Sequence, residues 1–231
     1  MNNSSSLIGL AAVLPLVAIV ARPAMAQRAP DAFGTCVPMS QRAGRDVGCF
    51  IITEQQVGRL DGSRHFWHVT RFETPASASA ANKTAPVAGT VLDAFGSTWL
   101  LTITDSAWRP KTGQQVAVIG PLPVSPGTAY AALYMEASMT PGMKSMVHRH
   151  SGPEAWYTMS GETCLETPSG TQVGKAGRPV IVPGGAPMEL TATGTTIRKS
   201  LVLILHDASR PPTTMESTWK PRALCSRSGS P

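Results

Sequence analysis

The sequence predicts a mainly β protein, and three observations support this fold class. Short apolar runs recur at nearly even spacing after residue 48, which is typical of a β-sandwich or β-barrel. The 20 prolines and 21 glycines are spread along the chain and favour turns over long helices. After the first 30 residues no stretch has a convincing helical period, and only residues 75–83 could form a short helix.

Individual strands can be assigned on both sides of a proline-rich connector at 121–127. Five strands are predicted before it: 49–53, 65–72, 90–95, 97–103 and 114–120. Eight follow it: 129–137, 145–150, 154–160, 163–167, 171–176, 178–184, 187–193 and 198–207. The run LVLIL at 201–205 is apolar on both faces, which predicts a central strand covered on both sides. Residues 209–231 are predicted to be an irregular C-terminal tail.

The N-terminus is predicted to be a secretory signal peptide at residues 1–26. An apolar run at 7–21 has the length of a signal core and is short for a membrane span. An Ala-Met-Ala cleavage site ends at Ala26, so the mature chain is expected to begin at Gln27. The opening MNNSSS lacks the usual basic residue, and retention as an anchor is the alternative. We expect an exported protein, periplasmic or secreted, with no stable membrane span after cleavage.

The charge pattern argues against a nucleic-acid partner. The formal net charge is +6, but the basic residues are scattered along the chain. No stripe of interleaved aromatic and basic residues, of the kind that grips nucleic acid, is present. A solvated basic surface explains the charge.

The four cysteines are predicted to form disulfides. An even number of cysteines behind an export signal favours disulfide bonds, and four cysteines allow three connectivities. Cys36 and Cys49 are close in sequence and flank a turn-rich loop, which favours a bridge between them and leaves Cys164 with Cys225. No C-x-x-C motif is present, so a thioredoxin-like redox role has no support.

Two histidines and a glutamate form the most informative pattern in the chain. His148 and His150 are one residue apart, so their side chains point the same way if 143–150 is a strand. A Ser-Gly-Pro turn follows, and Glu154 opens the next strand, which could bring its carboxylate to both imidazoles. Two imidazoles and a carboxylate are a donor set suited to a divalent transition metal.

The spacing around these residues resembles the first signature motif of the cupin superfamily. Gly142 is followed after five residues by His148 and after one more by His150. Glu154 comes after three further residues, and Gly161 after another six. Every defined position of that motif is matched.

A second stretch, GRPVIVPGGAPM, resembles the second cupin motif. Gly177, Pro183 and Gly185 stand where that motif has glycine, proline and glycine. Its histidine would fall at Met188 and its final asparagine at Ala192, so the sequence departs from the motif at these two positions. The two motifs together cover under half of the chain.

The resemblance implies a cupin-type jelly-roll β-barrel over residues 125–208, with an N-terminal accessory β-rich region at 27–124. The N-terminal region has no His-x-His pattern, since His65 and His68 are three apart and would lie on opposite faces of a strand. An accessory layer packed on the barrel is favoured over a degenerate cupin half. Exposed edge strands would allow a homodimer.

The interior of such a barrel can hold one small ligand. By strand parity, Met146 faces the interior with the histidines, and Trp156 and Thr158 face it with Glu154. Met188 is expected to line the same pocket as a packing residue, although a thioether ligand there would favour copper(I). The predicted pocket is apolar with a few polar groups, which suits a small organic molecule.

The resemblance also implies one divalent transition metal held by His148, His150 and Glu154. Cupin sites commonly use three histidines and a glutamate, and Met188 stands in place of the third histidine. The remaining set resembles the facial triad of non-haem iron oxygenases and would also accept manganese, zinc, nickel or copper. His206 is a distant candidate for the missing ligand.

Two functions are compatible with these observations. The first is a metal-dependent, dioxygenase-like oxidoreductase, in which Glu154 could also shuttle a proton and no other catalytic residue is assigned. The second is a non-catalytic module that binds or senses a small, for example sugar-like, molecule with a degenerate or empty metal site. No G-x-S-x-G or similar nucleophile motif is present. The fold does not choose between them.

Overall fold

The fold is built around a six-stranded β-sheet. This computed structural model describes residues 36–60 and 64–227. The predicted signal peptide at 1–26 and the expected mature start at Gln27 lie outside the described residues. Within the described ranges, no helix is both long and apolar enough to cross a membrane.

Strands dominate the described part of the chain, which is mainly β as predicted. The N-terminal strands are β1 (Val37–Pro38), β2 (Gly48–Arg59), β3 (Phe66–Phe72), β4 (Thr90–Ala94), β5 (Ser97–Thr104) and β6 (Gln114–Ile119), with helix α1 (Pro75–Asn82) between β3 and β4. The C-terminal strands are β7 (Ala129–Met139), β8 (His148–Arg149), β9 (Glu154–Ser160), β10 (Glu162–Thr167), β11 (Gly170–Lys175), β12 (Val180–Val182), β13 (Glu189–Thr193), β14 (Arg198–Asp207) and β15 (Thr214–Met215), followed by helix α2 (Leu224–Arg227).

Strand β14 lies inside the six-stranded sheet, whose order is β1-β2-β7-β14-β9-β12. It pairs with β7 along its whole length, from Arg198 opposite Met139 to Asp207 opposite Tyr130. Its other edge pairs with β9. The prediction that 201–205 forms a central strand covered on both faces is confirmed.

The two faces of β14 enter different hydrophobic cores, which gives the fold three β-layers. Leu201, Leu203 and Leu205 lie in a core shared with β3 and β5, which belong to a four-stranded sheet of order β4-β5-β3-β6. Val202 and Ile204 lie in a second core shared with the three-stranded sheet β11-β10-β13. Burying each such side chain contributes about 1.5–3 kcal/mol, so both cores hold the central sheet in place.

Helix α1 forms where the sequence allowed a short helix. The Thr74 side chain accepts a hydrogen bond from the Ser77 backbone N–H, and Pro75 occupies the first helical position. Ala78 and Ala81 are buried against the four-stranded sheet in a small core with Leu100. Two small side chains take the place of the wider apolar stripe that the sequence lacks.

Strand β2 joins the N-terminal region to the cupin-like half. It runs over Gly48–Arg59, well beyond the predicted 49–53, and pairs with β7 throughout. Its second half, EQQVGR, is polar and carries no strand signal of its own. Pairing with β7 satisfies its backbone, so tertiary context overrides local propensity. The six-stranded sheet therefore includes strands from both sides of the predicted boundary at residue 125.

The C-terminal segment is tied to the three-stranded sheet. Disulfides join Cys36 to Cys49 and Cys164 to Cys225, the pairing favoured from the sequence. Next to the second bridge, the buried Glu166 carboxylate accepts hydrogen bonds from the backbone N–H groups of two residues near the end of the described chain, Arg222 and Leu224. The segment expected to be an irregular tail is thus packed against β10.

Loss of the Cys164–Cys225 bridge is expected to destabilise the protein more than loss of Cys36–Cys49. The bridges close loops with sequence separations of 61 and 13 residues. Loop-closure entropy then predicts losses of about 4 and about 3 kcal/mol in the free energy of unfolding. Urea unfolding of the two double cysteine-to-alanine variants measures both losses. Both variants remove a pair of buried or half-buried sulfurs, so the difference between the two losses reflects mainly the loop length. A larger loss for the variant without Cys36–Cys49 would contradict the prediction.

Candidate metal centre

The segment that carries the two histidines runs beside β13. The backbone N–H of His148 donates to Met188 O, and the N–H of Met188 donates back to His148 O, at 3.1 and 2.8 Å. Lys144 forms a similar bridge with Thr191. Regular strand geometry is limited to β8, residues His148–Arg149, rather than the predicted 145–150. These isolated bridges hold the segment extended, so both histidines still turn toward the same site.

The turn between His150 and Glu154 is fixed by close backbone packing. A Cβ at Gly152 would lie 2.0 Å from the carbonyl oxygen of Leu205. The backbone N–H of Leu205 donates to Pro153 O, and that of Gly185 donates to His150 O, both at 2.8 Å. Only glycine fits at position 152, and the turn therefore delivers Glu154 to the histidines at the start of β9.

His148, His150 and Glu154 converge as predicted. One donor atom from each residue lies within 4.8 Å of the other two. The two imidazole rings are edge to face, with centroids 4.9 Å apart. The Nε2 atom of His150 lies 3.3 Å from Oε2 of Glu154. His206 lies outside this group, with its Nε2 atom 3.5 Å from Glu54 Oε1.

Backbone carbonyls set the tautomer of both histidines. Nδ1 of His148 lies 2.7 Å from the carbonyl oxygen of Met146, and Nδ1 of His150 lies 2.7 Å from that of Pro212. A carbonyl oxygen only accepts, so each Nδ1 carries the proton and donates it. In the neutral rings, Nε2 then has a free lone pair. Orientation of a ligating histidine by an Nδ1–H hydrogen bond is the usual arrangement in metal sites.

Burial and mutual charge set the protonation of the three groups. Burial lowers the pKa of His148, and the neighbouring His150 lowers it further. Burial alone would lower the pKa of His150, but the Glu154 carboxylate reverses this and raises it above the ordinary value. Burial alone would raise the pKa of Glu154, but His150 overcomes this and holds it below the ordinary value. These directions place an ionised Glu154 carboxylate beside a neutral His148, with the pKa of His150 held above its ordinary value by that carboxylate.

This donor set fits a divalent transition metal. Nε2 of His150 and Oε2 of Glu154 are buried and have no well-oriented hydrogen-bond partner. Such atoms are costly to bury unless something binds them. Two imidazole nitrogens and a carboxylate oxygen are the ligands that zinc, iron and related metals prefer.

The three groups line a cavity of about 260 Å³ that is formed by the C-terminal strands together with Cys36 and with Cys49 and Ile51 of β2. Of the predicted lining residues, Met146 and Trp156 contribute to its wall. Thr158 does not, because it lies farther along β9 and its hydroxyl accepts a hydrogen bond from buried Ser200. Met188 does not either, and its side chain packs in the second core. Its backbone nevertheless sits directly opposite His148.

Several wall residues were not anticipated from the sequence. Pro212, Thr213 and Met215 come from the segment expected to be a tail, and β15 pairs with β8 beside His148. No local motif marks these residues. Arg198 also lines the cavity, and it did carry a signal: it shares strand parity with Val202 and Ile204, so a charged residue lies on the inner face of a buried strand.

Comparison with known proteins gives only partial structural similarity. Neither a protein-family model nor a curated protein matches the chain. An uncharacterised protein with a double-stranded β-helix domain from Klebsiella pneumoniae is 15% identical and has a TM-score of 0.33, with 42% of this chain and 77% of that chain covered. A cupin-like protein from Thermotoga maritima is 14% identical with a TM-score of 0.34, covering 37% and 65% of the two chains.

A crystal structure from a set of DMSP lyases is also similar in part. It is 19% identical with a TM-score of 0.33, and the match covers 37% of this chain. The match spans only 44% of the lyase chain. Within this chain, the two stretches that resemble the cupin motifs run through two facing β-sheets, as the resemblance implies, and these sheets do not close into the expected barrel.

Proposed function

We propose that this protein is an exported, metal-dependent cupin-type protein that binds a small organic molecule beside a divalent transition metal. His148, His150 and Glu154 would hold the metal. The observation that carries the proposal is the pair of Nδ1 hydrogen bonds to backbone carbonyls, which leaves the Nε2 atoms of both histidines available as ligands beside an ionised carboxylate.

An oxidoreductase of the dioxygenase type is the activity that this donor set favours. A bound divalent metal would supply Lewis-acid or redox chemistry. The protein itself would orient the metal ligands and keep water away from the bound molecule. The turn at Gly152 fixes Glu154 relative to the histidines, and apolar walls from β7 and β14 exclude water from the ligand. The lowered pKa of Glu154 keeps its carboxylate ionised at neutral pH.

A non-catalytic binding module is the second candidate. Apart from the three proposed ligands, the described lining residues include no lysine, tyrosine or free thiol that could act as a general base. The cavity could therefore bind a molecule without transforming it. Turnover of a ligand by the metal-loaded protein would distinguish the two.

Metal binding is expected to stabilise the native state and to depend on all three ligands. A metal at a free concentration one hundred times its Kd adds about 2.7 kcal/mol to the free energy of unfolding. This corresponds to a rise of roughly 5–10 °C in Tm for a chain of this size. Thermal melting with zinc, manganese, copper or, without oxygen, iron(II) measures the rise. His148→Ala and Glu154→Gln should abolish most of it.

His65→Ala is the matched control, because it removes an imidazole that does not line the cavity. It should keep the metal-dependent rise in Tm. If no metal raises the Tm of the unaltered protein, and none is found by elemental analysis after reconstitution, the proposed metal site does not exist.

Metal affinity is expected to fall as the pH is lowered from 8 to 5.5. A metal competes with a proton for Nε2 of His150, and the Glu154 carboxylate raises the pKa of His150 above its ordinary value. Protonation therefore competes with the metal at a higher pH than it would at an ordinary histidine. Below that pKa, affinity should drop by about tenfold per pH unit for the one proton displaced. Zinc affinities from chelator competition at several pH values provide the measurement, and a flat profile would contradict the assigned role of His150.

A further inference from the structure

Arg198 carries a buried guanidinium group with unused hydrogen-bond donors. The residue is 1% exposed and lines the same cavity as the three proposed metal ligands. Its Nη1 atom contacts the sulfur of Met139 at 3.7 Å, and the guanidinium carbon lies 5.2 Å from the centre of the Trp156 ring. Its Nε and Nη2 atoms have no hydrogen-bond partner. Burial lowers its pKa to about 10, so the group remains charged at neutral pH.

This arrangement is unfavourable for the protein alone. A buried charge is normally paired, because its lost hydration must be replaced. The contact with Trp156 supplies a cation–π interaction, and the Met139 thioether is a weak acceptor. Neither uses the Nε and Nη2 donors. On a guanidinium group, these two N–H bonds point to the same side and form a fork that matches the two oxygens of a carboxylate.

Arg198 and the proposed metal ligands line the same cavity and lie close to one another. Glu154 and Trp156 are two residues apart on β9, so their Cα atoms are about 7 Å apart along the strand. Arg198 lies against the Trp156 ring and is 1% exposed. Met146 and Met215, which also line the cavity, are 44% and 45% exposed and mark its solvent-exposed side. A short molecule could therefore reach from the histidines to Arg198.

We propose that the cavity binds a small organic monocarboxylate, with its carboxylate paired to Nε and Nη2 of Arg198 and its apolar body between Arg198 and the histidine–glutamate group. This inference rests on the proposed function of the cavity as a ligand site and names the class of ligand. The rest of the cavity wall is mostly apolar and includes Leu133, Met135, Val202 and Ile204.

A carboxylate fits these residues better than a phosphate. Arg198 is the only arginine or lysine among the described residues that line the cavity. One planar fork satisfies the two oxygens of a carboxylate, whereas a phosphate presents more oxygens and more charge. The volume of about 260 Å³ lies below the range for drug-sized ligands and limits the molecule to a small one.

The test measures binding of two matched probes to the full mature chain loaded with redox-inert zinc. The probes are pentanoate and its neutral analogue pentanamide, with inorganic phosphate as a third. Isothermal titration and tryptophan fluorescence report binding without requiring turnover. Pentanoate is expected to bind about tenfold or more tightly than pentanamide, because it alone forms the charge-assisted pair. Stronger binding of phosphate than of pentanoate would overturn the assignment to carboxylates.

Substitutions at Arg198 separate recognition from packing. Arg198→Met should abolish the preference for pentanoate while zinc binding is retained, and Arg198→Lys should keep part of the preference. Lys199→Met is the matched control, since it removes a positive charge from the next residue on the exposed face of β14. It should leave the preference unchanged. Ligand-free Arg198→Met should melt no lower than the unaltered protein, since a buried charge with two unsatisfied donors has been replaced by an apolar group.

The outcomes distinguish this inference from the proposed function. If zinc fails to bind the unaltered protein, the metal proposal fails, and the pentanoate preference can still be measured in the metal-free protein. If zinc binds but pentanoate and pentanamide bind equally, the carboxylate inference is wrong. A large fall in Tm for Arg198→Met, with its preference for pentanoate unchanged, would assign Arg198 to core packing instead.

Discussion

Burial of both faces of the central sheet is the constraint on which the rest of the structure depends. Leu201, Leu203 and Leu205 project from one face of β14, and Val202 and Ile204 project from the other. Because both faces are apolar, the sheet needs a cover on each side. The four-stranded sheet covers the outer face, and the three-stranded sheet covers the inner one. The cavity lies on the inner side of the central sheet, where Val202 and Ile204 line it. None of the described residues of the four-stranded sheet lines it, whereas Cys49 and Ile51 of β2 do.

The parts of the site that depend on strand parity and local turns were predictable from the sequence. His148, His150 and Glu154 are close in sequence, and one turn between two extended segments is enough to bring them together. The same reasoning placed Trp156 beside Glu154, two residues along β9. It failed for Thr158 because parity gives the face of a strand but not how far along that face the cavity extends.

Long-range packing supplies what the sequence could not predict. The carbonyl that orients His150 belongs to Pro212, 62 residues away, in a segment with no strand or helix pattern. That segment reaches the site through β15 and an ion pair between Arg149 and Glu216. Similarly, the polar half of β2 forms a strand because it pairs with the edge of β7. Both cases depend on partners distant in sequence, for which periodicity carries no signal.

The charges inside the cavity explain why a metal and an anionic ligand belong together. Without a metal, the carboxylate of Glu154 and the guanidinium of Arg198 offset each other at a distance. A divalent metal held by the three ligands brings the net charge of these groups to about +2 in an apolar enclosure, where charge is weakly screened. A monoanionic ligand lowers this excess and satisfies the unused fork of Arg198 as well. Metal and carboxylate should therefore each strengthen the binding of the other, a reciprocal coupling that follows from their shared cavity.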